Sequence, residues 1–304
     1  MYENYQPVNV DPEKIARFRK PATAADAQQL KNNRARLWPA MWTCVIIVLI
    51  IIALCVHFFT WKPVLIAIII IAIAGIALLV GYGSMNNMTK EEEKLAAEAF
   101  PGHDTFRPED VRITAGKSYD FDCAPEDVFP YFKQFNLIKA GYYSFDFLER
   151  FFGFHIVNDY TIREEWQNIE CGDWIYYHQN GAGTGIVDYK ENEYITTYSD
   201  TRYQTTTPLS VAWAPKWMPK GFAWSWNFVF IPTNGGEGTH FISDLQAWWP
   251  EDTGKGTIGR LLVEWGLPSN FMMNGMAHTI KKLAERDAAA RRAGKPRPGY
   301  NYLK

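Results

Sequence analysis

Two long apolar runs stand out near the start of the chain. The first, residues 38–59, reads WPAMWTCVIIVLIIIALCVHFF, and the second, residues 63–82, reads PVLIAIIIIAIAGIALLVGY. Each has about the 20 residues that a helix needs to cross a hydrocarbon core of about 30 Å. Neither run contains Asp, Glu, Lys or Arg. The pattern therefore predicts two transmembrane helices, joined as a hairpin over residues 38–83.

The distribution of charge predicts the orientation of this hairpin. Residues 1–37 are mostly polar and carry seven Lys or Arg, whereas the joint between the runs carries only Lys62. By the positive-inside rule, we expect both termini in the cytoplasm. The first run is too long for the core of a cleaved signal peptide, which favours an integral membrane protein.

Residues 84–109 read as a linker, and a folded domain is predicted from residue 110 to residue 292. The linker includes a short polar helix, TKEEEKLAAEAF. Residues 111–123 have the composition of a strand, and residues 124–135 that of a short helix. A second short helix is predicted in SFDFLERFFGF (144–154), where Ser144 can serve as N-cap and Glu149 is expected to face outward.

In the rest of the domain, apolar and polar residues first alternate as in the strands of an antiparallel sheet and then follow the period of a helix. Strands are predicted within residues 172–181, 184–200, 221–232 and 238–250, with turn residues between them. Residues 269–292 form a long amphipathic helix, and residues 293–304 a basic tail. The fold class is therefore α+β, a helix grip in which a curved antiparallel sheet surrounds a long C-terminal helix, preceded by the two transmembrane helices.

Alternation along the strand FAWSWNFVF suggests where a ligand could bind. Its large rings share one face and are expected to look towards methionines of the closing helix, a combination that suits an irregular apolar ligand. A solid core is the alternative. The predicted cavity residues are Tyr143, Trp166, Trp224, Trp226, Phe228, Met272, Met273 and Met276.

Catalytic candidates are few. His155 with Asp146 or Asp159 could act as a general acid and base, although a satisfied histidine and a capping aspartate fit the same residues. No two histidines have metal-ligand spacing, and the sequence indicates no cofactor. The net charge of −2 argues against nucleic-acid binding.

A Pro-rich loop is a candidate for direct contact with lipid. Tryptophan beside lysine is typical of a headgroup interface. The residues concerned are Trp213, Lys216, Trp217 and Met218. The same loop could instead be a lid packed on its own domain.

Three stretches resemble the START-like, or polyketide-cyclase-like, helix-grip superfamily, often called SRPBCC. They are GYYSFDFLE (141–149), EEWQNIECGDWI (164–175) and LPSNFMMNGMAHTIKKLAER (267–286), within a resemblance that covers about residues 110–290. They are similar to a bacterial branch that often has arginines in its last strand, where this chain has Asp244 and Gln246. The resemblance implies a deep hydrophobic cavity but no single reaction.

Together these features predict a membrane-tethered, non-enzymatic domain. It would bind a lipid or other hydrophobic small molecule, as carrier or sensor, at the cytoplasmic face of a bacterial plasma membrane. Two alternatives remain open at this point. One is a cyclase- or dehydratase-type enzyme that acts on a hydrophobic substrate in the same cavity, and the other is a membrane-bound scaffold for a protein partner.

Overall fold

The structure, a computed structural model, describes most of the domain and the apolar runs. The described residues are 46–58, 61–99, 112–151, 153–179, 183–200, 222–261 and 266–298, with the single positions 25, 26 and 28. The predicted lipid-contact loop, with Trp213, Lys216, Trp217 and Met218, therefore lies outside the described residues, as does nearly all of the segment 1–37.

Within the described residues, one helix rather than two qualifies as a candidate membrane span. Helix α2 (Trp61–Gly83) is long and apolar enough to cross a membrane, and its most apolar stretch is not buried against protein. Helix α1 (Ile46–Phe58) is apolar but shorter than the about 18 residues that a span requires. Residues 38–45 of the first run lie outside the described residues. The side of the membrane on which the domain sits stays a prediction.

The domain is α+β and is built on one antiparallel sheet of six strands in the order β1-β6-β5-β4-β3-β2. The strands are β1 (Ile113–Phe121), β2 (Trp174–Tyr176), β3 (Gly183–Lys190), β4 (Tyr194–Asp200), β5 (Ala223–Thr233) and β6 (Gly238–Trp248). The predicted meander is confirmed from β2 to β6, and the first strand pairs with the last. This topology fits a helix-grip-like fold.

Five α-helices accompany the sheet in the described part of the domain and its linker. They are α3 (Lys90–Ala99), α4 (Pro125–Lys133), α5 (Asp146–Phe151), α6 (Lys255–Leu261) and α7 (Leu267–Arg292). Alternation along β5 decides what each face meets. Phe228 and Phe230 pack with Phe132 of α4, whereas Val229 points the other way, towards Ala96 of α3.

The middle of the grip is filled by aromatic rings. Phe132 lies 4.9 Å, centroid to centroid, from both Phe228 and Phe241, at tilted angles that suit ring quadrupoles. Helix α7 adds Met276 and Ile280, both buried. Burial of this apolar surface is the main stabilising term for the domain.

Helix α7 runs the length of the sheet, from one end of the strands to the other. Near its start, Met273 packs with Leu245 of β6. Near its end, Arg291 pairs with Asp127 of α4 at 2.7 Å and Arg292 with Glu237 at 3.2 Å. The beginning of the basic tail folds back in the same way, since Arg297 reaches the buried Asp287 at 3.2 Å.

The end of α2 is bound to β1 through the buried side chain of Lys117. Its ammonium group donates hydrogen bonds to the carbonyl oxygens of Gly83 and Met85, and a third to Oδ1 of Asn87 at 2.5 Å. A cation is favoured at the C-terminal end of a helix, where unpaired carbonyls carry partial negative charge. Burial lowers the pKa of Lys117 to about 8.

Asn274 of α7 completes this junction from the opposite side. Its Nδ2 donates to the carbonyl oxygens of Tyr82 at 2.6 Å and Met85 at 3.2 Å, and its Oδ1 accepts from the hydroxyl of Tyr119. The Tyr82 ring lies 5.0 Å from that of Phe271 in an edge-on contact. The last turn of α2 is therefore held by both the sheet and the closing helix.

Lys117→Met should loosen the junction while leaving the domain folded. Methionine keeps the length of the side chain but removes every donor, and each buried acceptor left without a partner costs about 1–3 kcal/mol. We expect the amide hydrogens of Met88 and Ser118, which pair the segment after α2 with β1, to exchange about 10–100-fold faster. Lys133→Met, which removes an ion pair with Glu191 elsewhere on the domain, is the control. Unchanged exchange in the Lys117 variant would contradict the coupling.

Candidate functional site

The loop before α5 is fixed by one side chain, that of Asn158. Its Oδ1 accepts from the backbone N–H groups of Tyr142 at 3.1 Å and Tyr143 at 2.9 Å, while its Nδ2 donates to the carbonyl of Ser144 at 2.8 Å. Tyr143 has φ 56°, in the left-handed region that non-glycine residues rarely adopt. The surrounding hydrogen bonds compensate for this strain, which is typical of a functional site.

Helix α5 joins this loop to the closing helix. The hydroxyl of Ser144 donates to the carbonyl of Met272 at 3.0 Å, so this predicted cap residue also contacts the closing helix. The Phe145 ring lies 4.9 Å from Phe271 and leaves no space for a side chain at Gly275, where a Cβ would sit 2.6 Å from the ring. Glycine at position 275 is what permits this close approach.

Glu149 faces inward, contrary to the sequence-based expectation. Its Oε2 is buried and has no hydrogen-bond partner among the described residues. Burial is the main cause that raises the pKa of this carboxyl to about 8, and the neighbouring charge of Asp146 adds to it. At neutral pH the group is therefore largely a neutral acid that can donate a hydrogen bond.

A pair of tyrosine rings lies next to this acid. Burial raises the pKa of the Tyr142 hydroxyl, and nearby Tyr177 and Glu149 add to this effect. The Tyr142 ring is 5.8 Å from that of Tyr177. The hydroxyl of Tyr177 is buried close to the side chains of Thr184, Thr197 and Trp224, without good hydrogen-bond geometry to any of them. The Oγ1 of Thr184 has no partner among the described residues either. We call Glu149, Tyr177 and Thr184, with the ring of Tyr142, the polar end of the grip.

His155 lies beyond the polar end, in the segment that follows α5. Its backbone N–H donates to Oε1 of Gln179 at 3.3 Å, and Gln179 in turn donates to the carbonyl of Gly153. The buried Nδ1 has no partner within the described ranges. Burial lowers the pKa of the imidazole, so the ring is neutral at physiological pH.

The two aspartates predicted to assist His155 are engaged elsewhere. Asp146 pairs with Arg150 at 2.6 Å, and Asp159 pairs with Arg163 at 2.6 Å. Among the described hydrogen bonds and ion pairs, none joins either carboxylate to His155. The acid of this region whose carboxyl oxygen is buried without a partner among the described residues is instead Glu149, which the sequence reasoning missed. Its position two residues after Phe147 and two residues before Phe151 was the available signal.

The residues predicted to line a cavity fall into separate environments. Tyr143, Phe228 and Met276 are fully buried in the aromatic core. Trp226 borders the polar end, 6.0 Å from Tyr177, and its indole N–H donates to Ser243 at 2.8 Å.

The remaining predicted cavity residues lie around the edges of the grip. Trp224 packs with Phe222 in a second cluster, and Met273 packs with Leu245 in a third. Met272 contributes its carbonyl to Ser144, and Trp166 lies near the surface under the Arg163 guanidinium. Any ligand space bounded by these residues is therefore at the Trp226 end of the grip, because rings fill the middle.

Asp244 and Gln246 lie on the face of the sheet opposite to the rings. Both side chains are buried, and Nε2 of Gln246 donates to Oδ2 of Asp244 at 2.8 Å. They cannot contribute to the polar end, because β6 directs its alternate side chains, such as Phe241, towards the grip.

A separate cleft of about 640 Å³ opens at the junction of α2 with the domain. Its walls come from the last turns of α2, the start of α3, the edge of β1 and the start of α7. Apolar residues such as Leu79 and Val80 face polar ones such as Lys90 and Thr114. The volume is within the range of small-molecule sites, about 300–1,000 Å³.

Metal ligation finds no support within the described residues. No group of three or more His, Cys, Asp or Glu side chains in these ranges is placed to hold an ion.

Comparisons with known proteins give one type of match. No protein-family model and no curated protein matches the chain. Among solved structures, a crystal structure of protein MLL2253 from Mesorhizobium loti is similar, with 11% sequence identity and a TM-score of 0.29. The match covers 57% of this chain and 98% of that one. A likeness of this extent carries no statement about function.

Glu149→Gln should stabilise the protein in a pH-dependent way. The raised pKa of about 8 in the folded state exceeds the unfolded value of about 4.3. Stability from the bound proton is therefore complete below the unfolded value and is lost as the pH rises towards 8. Glutamine mimics the neutral acid and removes this loss.

The gain should be near zero at about pH 4 and reach a Tm increase of at least about 2–4 °C above pH 8, the shift expected per kcal/mol in a domain of this size. Thermal unfolding of the full chain in detergent across this pH range measures it. Glu191→Gln, at an exposed ion pair, should show no such dependence. A gain that is the same at every pH would contradict the buried position of Glu149.

Proposed function

We propose that this chain is a membrane-tethered helix-grip domain that binds a lipid or other hydrophobic small molecule, as carrier or sensor. The observation that carries the proposal is the polar end of the grip. There, the buried Oε2 of Glu149 has no hydrogen-bond partner among the described residues and lies near Tyr142. The buried hydroxyls of Tyr177 and Thr184 lie close together without good hydrogen-bond geometry, and the Tyr177 ring is near those of Tyr142 and Trp226.

Such atoms favour a bound molecule on energetic grounds. A buried polar group without a partner costs about 1–3 kcal/mol, and native proteins rarely retain several of them together without water or a ligand to satisfy them. An apolar body would contact the rings, while a carbonyl or hydroxyl group of the same molecule could accept from Glu149 or Tyr177. Sites of this kind, mostly apolar with a few convergent polar groups, are typical of small-molecule recognition.

Tethering suits this function. A hydrophobic ligand partitions into the bilayer, and a domain held next to the bilayer meets it at a higher effective concentration. The proposal includes the hairpin of two spans, an orientation with the domain at the cytoplasmic face of a bacterial plasma membrane, and membership of the START-like superfamily. The resemblance of the three sequence stretches and the helix-grip-like topology support it.

An enzyme of the cyclase or dehydratase type is the second candidate, and Glu149 is the observation that favours it. A buried carboxylic acid that stays protonated near neutral pH can serve as a general acid. Glutamine at this position can still donate a hydrogen bond but cannot transfer a proton. Loss of turnover with ligand binding retained in Glu149→Gln would therefore distinguish the enzyme from the carrier.

Native mass spectrometry of the full chain, released from detergent after incubation with membrane extract, tests the proposal. We expect a stoichiometric apolar adduct that is lost in Thr184→Phe, because the added ring would occupy the polar end. Thr114→Phe is the matched control, since Thr114 lines the junction cleft instead. This control should keep the adduct.

Two results would count against the proposed site. An adduct that survives Thr184→Phe but disappears in Thr114→Phe would move binding to the junction cleft. A clean protein mass after incubation would exclude the carrier and leave the scaffold as the interpretation.

A further inference from the structure

The exposed apolar side chains of the domain are concentrated in one short segment. Beyond α2, the described residues expose five large hydrophobic side chains: Met85 (53%), Leu95 (39%), Phe147 (60%), Phe151 (49%) and Val157 (61%). Three of the five lie within residues 147–157. Single exposed hydrophobics are ordinary, whereas a cluster of this kind marks an interaction surface.

Helix α5 directs its two faces in opposite ways. Phe147 and Phe151 are four residues apart, so they lie on the same side of the helix, pointing to solvent. Glu149, between them, points into the grip. The outward rings are therefore not a misplaced part of the core, because the core side of this helix is already occupied.

This outward face lies next to the end of the membrane helix. The Tyr82 ring, in the last turn of α2, is 6.1 Å from Phe145, and Phe145 is 6.3 Å from Phe147. Phe271, at the start of α7, contacts both Tyr82 and Phe145. A chain of ring contacts thus connects the exposed face of α5 to the point where α2 leaves the apolar region.

The opposite end of the domain has a different character. There α7 ends in arginines paired with Asp127 and Glu237, and the turn Asn234–Gly236 joins β5 to β6. Helix α7 starts beside α2 and ends at this opposite end of the domain. The domain therefore has one end near α2 and one end far from it. The exposed rings of α5 are at the near end.

We propose that Phe147, Phe151 and Val157 form a bilayer-docking surface that enters the boundary between headgroups and acyl chains beside α2. The inference rests on the proposed membrane tether. Aromatic side chains are favoured at this depth, as in the aromatic belts of membrane proteins. The charges next to the rings are already neutralised, because Asp146 and Arg150 form an ion pair at 2.6 Å. Contact should therefore depend on apolar burial rather than on anionic lipid.

Photocrosslinking of the full chain in phosphatidylcholine liposomes tests this surface. The photoreactive analogue p-benzoylphenylalanine would replace Phe147 in one variant and Phe151 in another, a conservative change of ring for ring. The control carries the same group at Asn234, in the turn at the far end. After irradiation, mass spectrometry should find lipid adducts at positions 147 and 151 and none at position 234. The yield should be the same at low and high salt, since screening does not weaken apolar contact.

Flotation of the same liposomes separates failure of this inference from failure of the tether. If the chain floats with the liposomes but positions 147 and 151 give no more lipid adduct than position 234, the docking surface is refuted alone. If the chain does not float after an alkaline wash, the tether and the docking surface both fail. The ligand at the polar end is measured independently, by the mass of the unirradiated protein.

Discussion

The position of the domain relative to α2 depends on the hydrogen bonds of the buried Lys117 ammonium group. Lys117 lies in the middle of an edge strand and satisfies two carbonyls at the end of α2 and the side chain of Asn87. Burying a cation is unfavourable unless it finds such partners. One of these partners, the carbonyl of Gly83, is an acceptor of the kind that any helix leaves unsatisfied at its C-terminus, so each group compensates the burial of the other. Asn274 of α7 likewise donates hydrogen bonds to carbonyls at and just after the end of α2.

This junction fixes the orientation of the domain relative to α2. A flexible linker would let the domain turn freely relative to the helix, whereas contacts from both β1 and α7 set the direction in which the sheet points. The start of α7, the loop that Asn158 organises and the outer face of α5 are consequently placed beside the end of α2. Helix α5 then has the polar end of the grip on one side and the exposed rings on the other. The same six-residue helix separates the proposed ligand site from the proposed lipid contact.

The sheet and the closing helix could be predicted from sequence because their hydrophobic patterns repeat over enough residues to be recognised. Alternation over residues 221–232 and 238–250 sets both the strands and their faces, and the stripe of α7 repeats over 26 residues. Helix α5 has only six residues, too few for a period of 3.6 to show which side faces inward, and for this reason the direction of Glu149 was wrong.

Other features depend on contacts between residues far apart in the chain. Nothing in the strand ITAGKSYDF distinguishes Lys117 from an ordinary exposed lysine, because its acceptors lie about 30 residues earlier. Ser144 has the residue type of a helix cap, and only the approach of α7 gives its hydroxyl a different partner. The acids predicted to assist His155 were plausible by proximity in sequence, but nearby arginines were available to both. In each of these cases, the partner of the side chain was determined by contacts in the folded structure that the local sequence does not show.

A crystal structure of the full chain grown from a lipid mesophase tests the central claim most directly. The account predicts non-protein density at the polar end, within hydrogen-bond distance of the Tyr177 hydroxyl and the Glu149 carboxyl, with α2 inside the lipid layer. Ordered water alone on these atoms, with the rings of Tyr142 and Trp226 in direct contact and no ligand space between them, would contradict it.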